Sequence, residues 1–412
     1  MYLNRHMENK KREFDVIIIG AGLVGLATAY QIKCDYPRKR VLVLEKANGV
    51  ATHQSGHNSG VIHSGIYYKP GSLKARNCIE GYNLLVQFAQ EYGIPFELCG
   101  KLIVATKPEE LPILQSIYNH GMANGLRDLR VLQLEEFREI EPHVAGLKAI
   151  QVPQTGIIDY PALAKQLLAL FSEQDGEIKF SEEVVAIRTF GEKVIVNTQK
   201  EEFVTKSIVT CGGLQSDRIA GMTEERNDLK IIPFRGEYYK LKPEREYLVK
   251  NLIYPVPDPN FPFLGVHFTR MINGGIEAGP NAVLAFKREG YKFSSFNLKD
   301  TFDTFTWPGF WKVVGKYGKT GLGEIYRSLS KSAFTKALQT LIPDVQEHDL
   351  VPGGAGVRAQ ACNRSGNLID DFDILSSGKG NVIHVRNAPS PAATSCLAIG
   401  KTISSAIINH TV

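Results

Sequence analysis

Gly20, Gly22 and Gly25 stand as G-x-G-x-x-G in the run Gly20-Ala21-Gly22-Leu23-Val24-Gly25. Glycines at this spacing handle phosphate through what they lack. The first permits a tight turn, the second lets backbone approach a pyrophosphate, and the third lets a helix pack closely on a strand. The flanks supply the context the motif needs. Phe14-Asp15-Val16-Ile17-Ile18-Ile19 reads as a buried strand, and residues 26–33 are helix-compatible. A second strand over 40–44 ends at Glu45, 20 residues after Gly25. The helix N-terminus would stabilise phosphate charge, and Glu45 would accept from a ribose hydroxyl that carries no 2′-phosphate.

Beyond the fingerprint the chain does not read as further regular βα units. Ala51-Thr52-His53-Gln54-Ser55-Gly56-His57-Asn58-Ser59-Gly60-Val61-Ile62-His63-Ser64-Gly65 is dense in small, hydroxyl and imidazole groups. Near the middle, a strand over 206–211 enters the turn Gly212-Gly213. At the other end, strand 382–385 leads through Ala388-Pro389-Ser390-Pro391-Ala392-Ala393-Thr394-Ser395 into a last helix. Proline with Thr and Ser beside it marks a helix entry. Cofactor pieces drawn from both chain ends fit FAD lying extended across one domain. The candidate contacts are Gly20, Gly22, Gly25, Glu45, Lys46, Ser55, Asn58, Ser59, Gly60, Val184, Gly212, Gly213, Ala393, Thr394 and Ser395.

Five segments carry a family resemblance: His57-Asn58-Ser59-Gly60-Val61-Ile62-His63-Ser64-Gly65-Ile66-Tyr67-Tyr68, Phe261-Pro262-Phe263-Leu264-Gly265-Val266-His267-Phe268-Thr269, Gly279-Pro280-Asn281-Ala282-Val283-Leu284-Ala285-Phe286, Ala355-Gly356-Val357-Arg358-Ala359-Gln360, and the stretch from His384 to Ser395. With them the chain, from about residue 14 to its end, resembles the L-2-hydroxyglutarate dehydrogenase/oxidase family of D-amino-acid-oxidase-like flavoproteins. The resemblance implies FAD, a small dicarboxylate substrate, 2-oxoglutarate as product, and a quinone or oxygen as electron acceptor.

Oxidising a 2-hydroxy acid needs a cation for the carboxylate, a base for the hydroxyl, and a geometry that aims the C2–H at the flavin. Arg358 is the candidate cation, in a small-residue strand where a guanidinium can grip a carboxylate with two hydrogen bonds. The resemblance supports it, since the arginine at this position in the wider oxidase family binds the substrate carboxylate; a structural ion pair is the competing reading. The base should titrate near the working pH, which favours histidine. His57 ranks first, on the segment that passes over the flavin ring, and His267 second, as a polar residue on an apolar strand. His63 and His384 read as structural. Tyr254 and Tyr239 are candidates to orient the substrate, with core or rim packing as the competing reading, and Lys287 and Arg288 are candidates to hold a second carboxylate, with a solvated strand end as the competing reading.

The elements that must position these residues predict an α/β chain, in which a Rossmann-like FAD-binding domain is interleaved with an α+β substrate domain built on a mixed or antiparallel sheet. The expected boundaries are 1–95, 145–230 and 351–412 for the FAD domain, and 96–144 with 231–350 for the substrate domain. Strands are expected over 236–241, 251–256, 265–269 and 282–286, and helices over 162–171 and 327–341.

The 412 residues carry 48 Lys+Arg against 43 Asp+Glu, a surplus too mild and too dispersed for a nucleic-acid binder. The six cysteines are scattered, with neither a zinc pattern nor a disulfide framework. The apolar run 16–32 follows Lys10-Lys11-Arg12, yet it is too short for a membrane span, and Glu13 and Asp15 break a signal-peptide pattern. Segment 302–319 holds both tryptophans, three phenylalanines and three lysines (Lys312, Lys316 and Lys319). That composition suits a membrane-surface contact, although aromatic packing under a loop would read the same way. The expected location is cytoplasmic, or membrane-associated on the cytoplasmic face, and mitochondrial for a eukaryotic source. Two other functions stay open: an amino-acid oxidase of the glycine, sarcosine or D-amino-acid type, and a non-catalytic dinucleotide-binding redox sensor.

Overall fold

The computed structural model describes residues 13–223, 228–259, 263–377 and 380–408. Phe261 and Pro262 of the second family segment, the basic lead-in at 10–12 and the Lys319 side chain lie outside what is described. The chain divides into two compact units. One comprises the chain up to Gly56, Tyr160–Ile231 and the chain from Ile369; the other comprises His57–Asp159 and Ile232–Leu368.

Five parallel strands centre the first unit, in the order Glu177–Lys179, Val41–Leu44, Glu13–Ile19, Glu202–Thr210 and Val382–Asn387. Val41–Leu44 and the Val16–Ile19 end of Glu13–Ile19 are buried throughout, and both read as runs of β-branched residues and leucine because both faces are covered. Ile17 and Ile18 are fully buried, each contributing about 1.5–3 kcal/mol of burial energy. An antiparallel pair, Val184–Phe190 and Lys193–Thr198, extends one side, and Asp373–Ser377 pairs with Val382–Asn387. Helix Leu23–Asp35 packs against Tyr160–Glu173 and Cys396–Ile408. Gly400 makes the latter contact possible, since a Cβ there would lie 2.8 Å from the Ala27 backbone.

In the second unit the main sheet runs Val283–Leu284, Leu229–Leu241, Ile276–Gly279, His267–Arg270, Leu252–Pro255, Lys101–Ala105, Lys148–Val152, Arg130–Gln133, with Leu350–Asn363 along the long strand Leu229–Leu241. Along that order the strand pairs are antiparallel except Leu252–Pro255 beside Lys101–Ala105. Helix Lys331–Gln339 covers one face through Phe334 and Leu338. The α/β expectation holds, and the interleaving with it.

The compact units divide the chain differently from the expected domains. Residues 57–95, 145–159 and 351–368 group with the second unit, not with the fingerprint. The reason is strand pairing at long range: Val61–Ile62 pairs with Gly156–Ile158, Lys148–Val152 pairs with Lys101–Ala105, and Leu350–Asn363 lies along Leu229–Leu241. The helix expected over 327–341 is two helices, Pro308–Leu329 and Lys331–Gln339, divided at Ser330, whose hydroxyl accepts from Ala333 N.

Candidate active site

The first unit carries the glycine fingerprint on the turn between Glu13–Ile19 and Leu23–Asp35. Gly20 has φ +106°, and a Cβ there would sit 2.5 Å from the Cys211 carbonyl oxygen. A Cβ on Gly25 would overlap the Gly20 carbonyl, so neither position accepts a side chain. The helix begins without an acidic residue in its first turn, which keeps its N-terminal field positive. Ser55 Oγ accepts from Leu23 N at 3.0 Å. Glu45 closes its strand as expected, but its carboxylate also braces the fingerprint, accepting from Ala21 N at 2.7 Å and Ala47 N at 2.8 Å. A carboxylate has about four acceptor sites, so two of these bonds leave capacity for a ribose hydroxyl.

The other expected cofactor residues in this unit surround comparable features. Gly213 has φ +50° after strand Glu202–Thr210, with Gly212 opening the short helical turn there. Thr394 shares a 2.9 Å hydrogen bond with the Tyr160 hydroxyl, beside Ala393. Ser395 Oγ is buried with no hydrogen-bond partner among the described residues, at the mouth of helix Cys396–Ile408. Val184 heads its strand with its side chain in the core, where the ladder shifts register before Ala186. Lys46 is half-buried. Glycine contacts that exclude Cβ atoms, two helix N-termini and an orphaned hydroxyl fit an extended phosphate-bearing cofactor. Asn58, Ser59 and Gly60 belong to the second unit, where Asn58 Oδ1 accepts from Gly60 N.

The second unit's sheet sorts its side chains by pleat. Tyr239, Ala278, Phe268, Ile253 and Leu102 are successive cross-strand partners, and all join the core under helix Lys331–Gln339. The rows on either side of it present the opposite face. That face holds His267 and Tyr254, whose rings lie 4.0 Å apart, and Lys101, whose ammonium stands 4.9 Å from the Tyr254 ring and 4.5 Å from that of Tyr67. Tyr239, expected to orient substrate, therefore packs on Phe334 at 4.8 Å, away from this face. Tyr238 takes its place, feeling the charge of Arg358 and acting on Tyr254.

His267 Nδ1 lies 2.8 Å from the Gly265 carbonyl, which assigns that nitrogen the proton and leaves the Nε2 lone pair free. Burial first, then the charges of Arg358 and Lys101, hold its pKa down to about 3, against the pull of the Gly265 bond. Burial likewise lowers His63 to about 3, with Lys101, Lys74 and His267 adding to it. Burial pushes Tyr67 and Tyr254 up, so both stay protonated. Arg358 Nη1 is buried with no hydrogen-bond partner among the described residues, and its guanidinium lies 5.2 Å from the Phe263 ring. The cluster thus brings together two neutral imidazoles, two protonated phenols and a guanidinium nitrogen with no hydrogen-bond partner among the described residues.

Other expected residues lie elsewhere. His57 is exposed and stacks on Tyr291 at 4.0 Å, with its carbonyl close against Gly356. Lys287 is exposed on the loop after Val283–Leu284, so the structure does not bring it to the cluster. His384 is buried between Thr210 and Thr223, a structural pairing as expected. Sequence reasoning missed Lys101, Tyr67 and Tyr238. For Lys101 a signal was present: it is the one charged residue on the apolar strand Lys101–Ala105.

Among the described residues there is no cluster of metal-ligand type, and no helix is long and apolar enough to cross a membrane. Comparison with known proteins agrees with the fold and the cradle. The L-2-hydroxyglutarate dehydrogenase of Indibacter alkaliphilus is 58% identical over 392 residues, covering 95% of this chain and 98% of that protein. The mitochondrial L-2-hydroxyglutarate dehydrogenase of Homo sapiens is 47% identical, covering 95% and 88%. Of solved structures, the FAD-bound L-α-glycerophosphate oxidase of Mycoplasma pneumoniae superposes with a TM-score of 0.78 at 23% identity, covering 96% of this chain and 95% of its own. Glycine oxidase of Geobacillus kaustophilus gives 0.72 at 16%, covering 97% and 95%. These two share the fold. The family of FAD-dependent oxidoreductases (DAO) matches residues 15–406, so the chain belongs to that family and groups within it with the L-2-hydroxyglutarate dehydrogenases.

Proposed function

We propose that the chain oxidises L-2-hydroxyglutarate to 2-oxoglutarate. The observation that carries this reading is the His267 ring: its Nδ1 proton is spent on Gly265, and its basic nitrogen is free on the face where Arg358 holds an unpaired guanidinium nitrogen. Arg358 binds the C1 carboxylate, and His267 Nε2 takes the hydroxyl proton. Tyr254, held by Thr269, keeps the imidazole plane in place. Bound FAD supplies the acceptor for the C2 hydride. A base held near 3 in the free site is weak, but the incoming anion offsets the cations that depress it and raises its proton affinity when it is needed.

The electrons then leave to a quinone or oxygen. The surface favours a quinone reached at a membrane. Trp307, Phe310 and Val313 turn inward, Trp307 donating to the Cys362 carbonyl at 3.2 Å. Trp311, Val314, Leu322, Ile325 and Leu329 form an outward stripe at helical spacing on Pro308–Leu329, joined by Phe302, which is 68% exposed. Lys312 and Lys316 beside them are exposed, and they suit an anionic lipid surface. On this reading the stripe rests against a membrane surface; the eukaryotic relatives bear mitochondrial names.

Arg358 would equally serve an amino acid, so the deciding experiment is an anaerobic titration of the yellow holoprotein. L-2-Hydroxyglutarate should bleach the flavin bands, while glycine, sarcosine and D-amino acids should leave them. A flavin that stays oxidised with L-2-hydroxyglutarate overturns the proposal, and one that no substrate reduces returns the redox-sensor reading.

A further inference from the structure

Lys101 is 3% exposed at the head of an apolar strand. Among the described residues no carboxylate pairs with its ammonium; around it lie the Tyr67 and Tyr254 rings, the Cys78 thiol, and the imidazoles of His63 and His267. Burying a charge this way is unfavourable unless something compensates it, and buried lysines are ordinarily paired. Two aromatic faces offset only part of the lost hydration. The Tyr67 hydroxyl is also buried, with no hydrogen-bond partner among the described residues. Ammonium and phenol together form an unfilled donor pair.

Lys101 and Arg358 both act on the same imidazole. A 2-hydroxy acid with one carboxylate uses one of these cations; a dicarboxylate uses both. The two cations expected from the sequence are placed otherwise. Lys287 is exposed, and Arg288 already faces Asp303, its backbone N donating to Asp300. We propose that Lys101, assisted by the Tyr67 hydroxyl, receives the substrate's distal carboxylate and thereby makes the site selective for dicarboxylic 2-hydroxy acids. This rests on the oxidation proposed above. Burial supports it by lowering the lysine's pKa to about 7, so an arriving carboxylate finds a cation with little hydration left to lose.

The test compares wild-type, K101M and K101R holoproteins. Anaerobic flavin reduction is followed with L-2-hydroxyglutarate and with the monocarboxylate L-2-hydroxybutyrate, and melting temperature with glutarate or butyrate. For K101M, kcat/KM on the dicarboxylate should fall about 100-fold, the value of a lost charge-assisted hydrogen bond, while the monocarboxylate changes less than about threefold. K101R should keep the dicarboxylate preference. Without ligand K101M should melt no lower than wild type, because an unpaired buried charge has gone, and glutarate should no longer raise its melting temperature. A K101M that unfolds, or that keeps the wild-type preference, overturns the assignment and makes Lys101 a packing residue. If wild type is not reduced by L-2-hydroxyglutarate, the oxidation reading fails instead, and the glutarate-dependent melting shift still decides the role of Lys101.

Discussion

Replacing His267 by glutamine separates the base from the histidine expected first. Glutamine approximates the length of imidazole, and its amide can donate to the Gly265 carbonyl, which now accepts from Nδ1 at 2.8 Å. What it lacks is the basic Nε2 lone pair. A positioned general base contributes about 10²–10⁴ to rate, equivalent to roughly 3–5 kcal/mol of barrier. H267Q should therefore lose that factor in the anaerobic rate of flavin bleaching at saturating L-2-hydroxyglutarate, with its cofactor spectrum unchanged. H57Q should lose less than about tenfold, because His57 is an exposed ring stacked on Tyr291. The pH profile adds a second readout. With His267 held to about 3, kcat/KM reports a free-enzyme base that stays unprotonated through pH 5, so no acid limb should appear near the ordinary imidazole value of about 6.5. An H267Q variant that reduces flavin within threefold of wild type refutes His267 as the base. A wild-type limb near pH 6.5 that H267Q removes refutes its burial equally, since that would be an imidazole in ordinary contact with water.

The same buried imidazoles make the fold acid-sensitive. His63 and His267 are held near 3 when folded and return to about 6.5 when unfolded, so between those values the unfolded chain binds more protons; stability is fully present above pH 6.5 and falls as pH drops toward 3. The expected slope is roughly 1.4 kcal/mol per pH unit for each histidine, and thermal midpoints at pH 7, 6 and 5 should fall less in H63Q/H267Q than in wild type. On the membrane side, wild type should float with anionic-phospholipid vesicles and F302S/W311S should stay behind; equal flotation of both, or none of wild type, removes the membrane reading. Trp307 is not a useful probe there, since its side chain is buried and its loss would act through the core.

How far the residues could be read in order depended on how local their partners are. The fingerprint was legible because its turn, helix and acid, from Gly20 to Glu45, close upon one another within a single βαβ unit; even the unforeseen bonds from Ala21 and Ala47 to Glu45 stay inside that stretch. The polar cluster has no such locality. Whether Tyr238 or Tyr239 faces it is settled by the pairing of Tyr239 with Ala278, and a slip of one residue would exchange them. Lys101 reaches His267 only because Lys101–Ala105 runs beside Leu252–Pro255, which in turn pairs with His267–Arg270. The long helix Pro308–Leu329 stayed hidden behind its five glycines, which weaken helix propensity while leaving an apolar stripe outside and Trp307, Phe310 and Val313 inside. The glycine fingerprint therefore lies in contiguous sequence, whereas the polar cluster depends on the register of a sheet assembled from distant segments. Solved neighbours at 16% and 23% identity keep the fold under other enzyme names. A change of register or of one cluster residue can alter what is oxidised without touching the glycines that define the family.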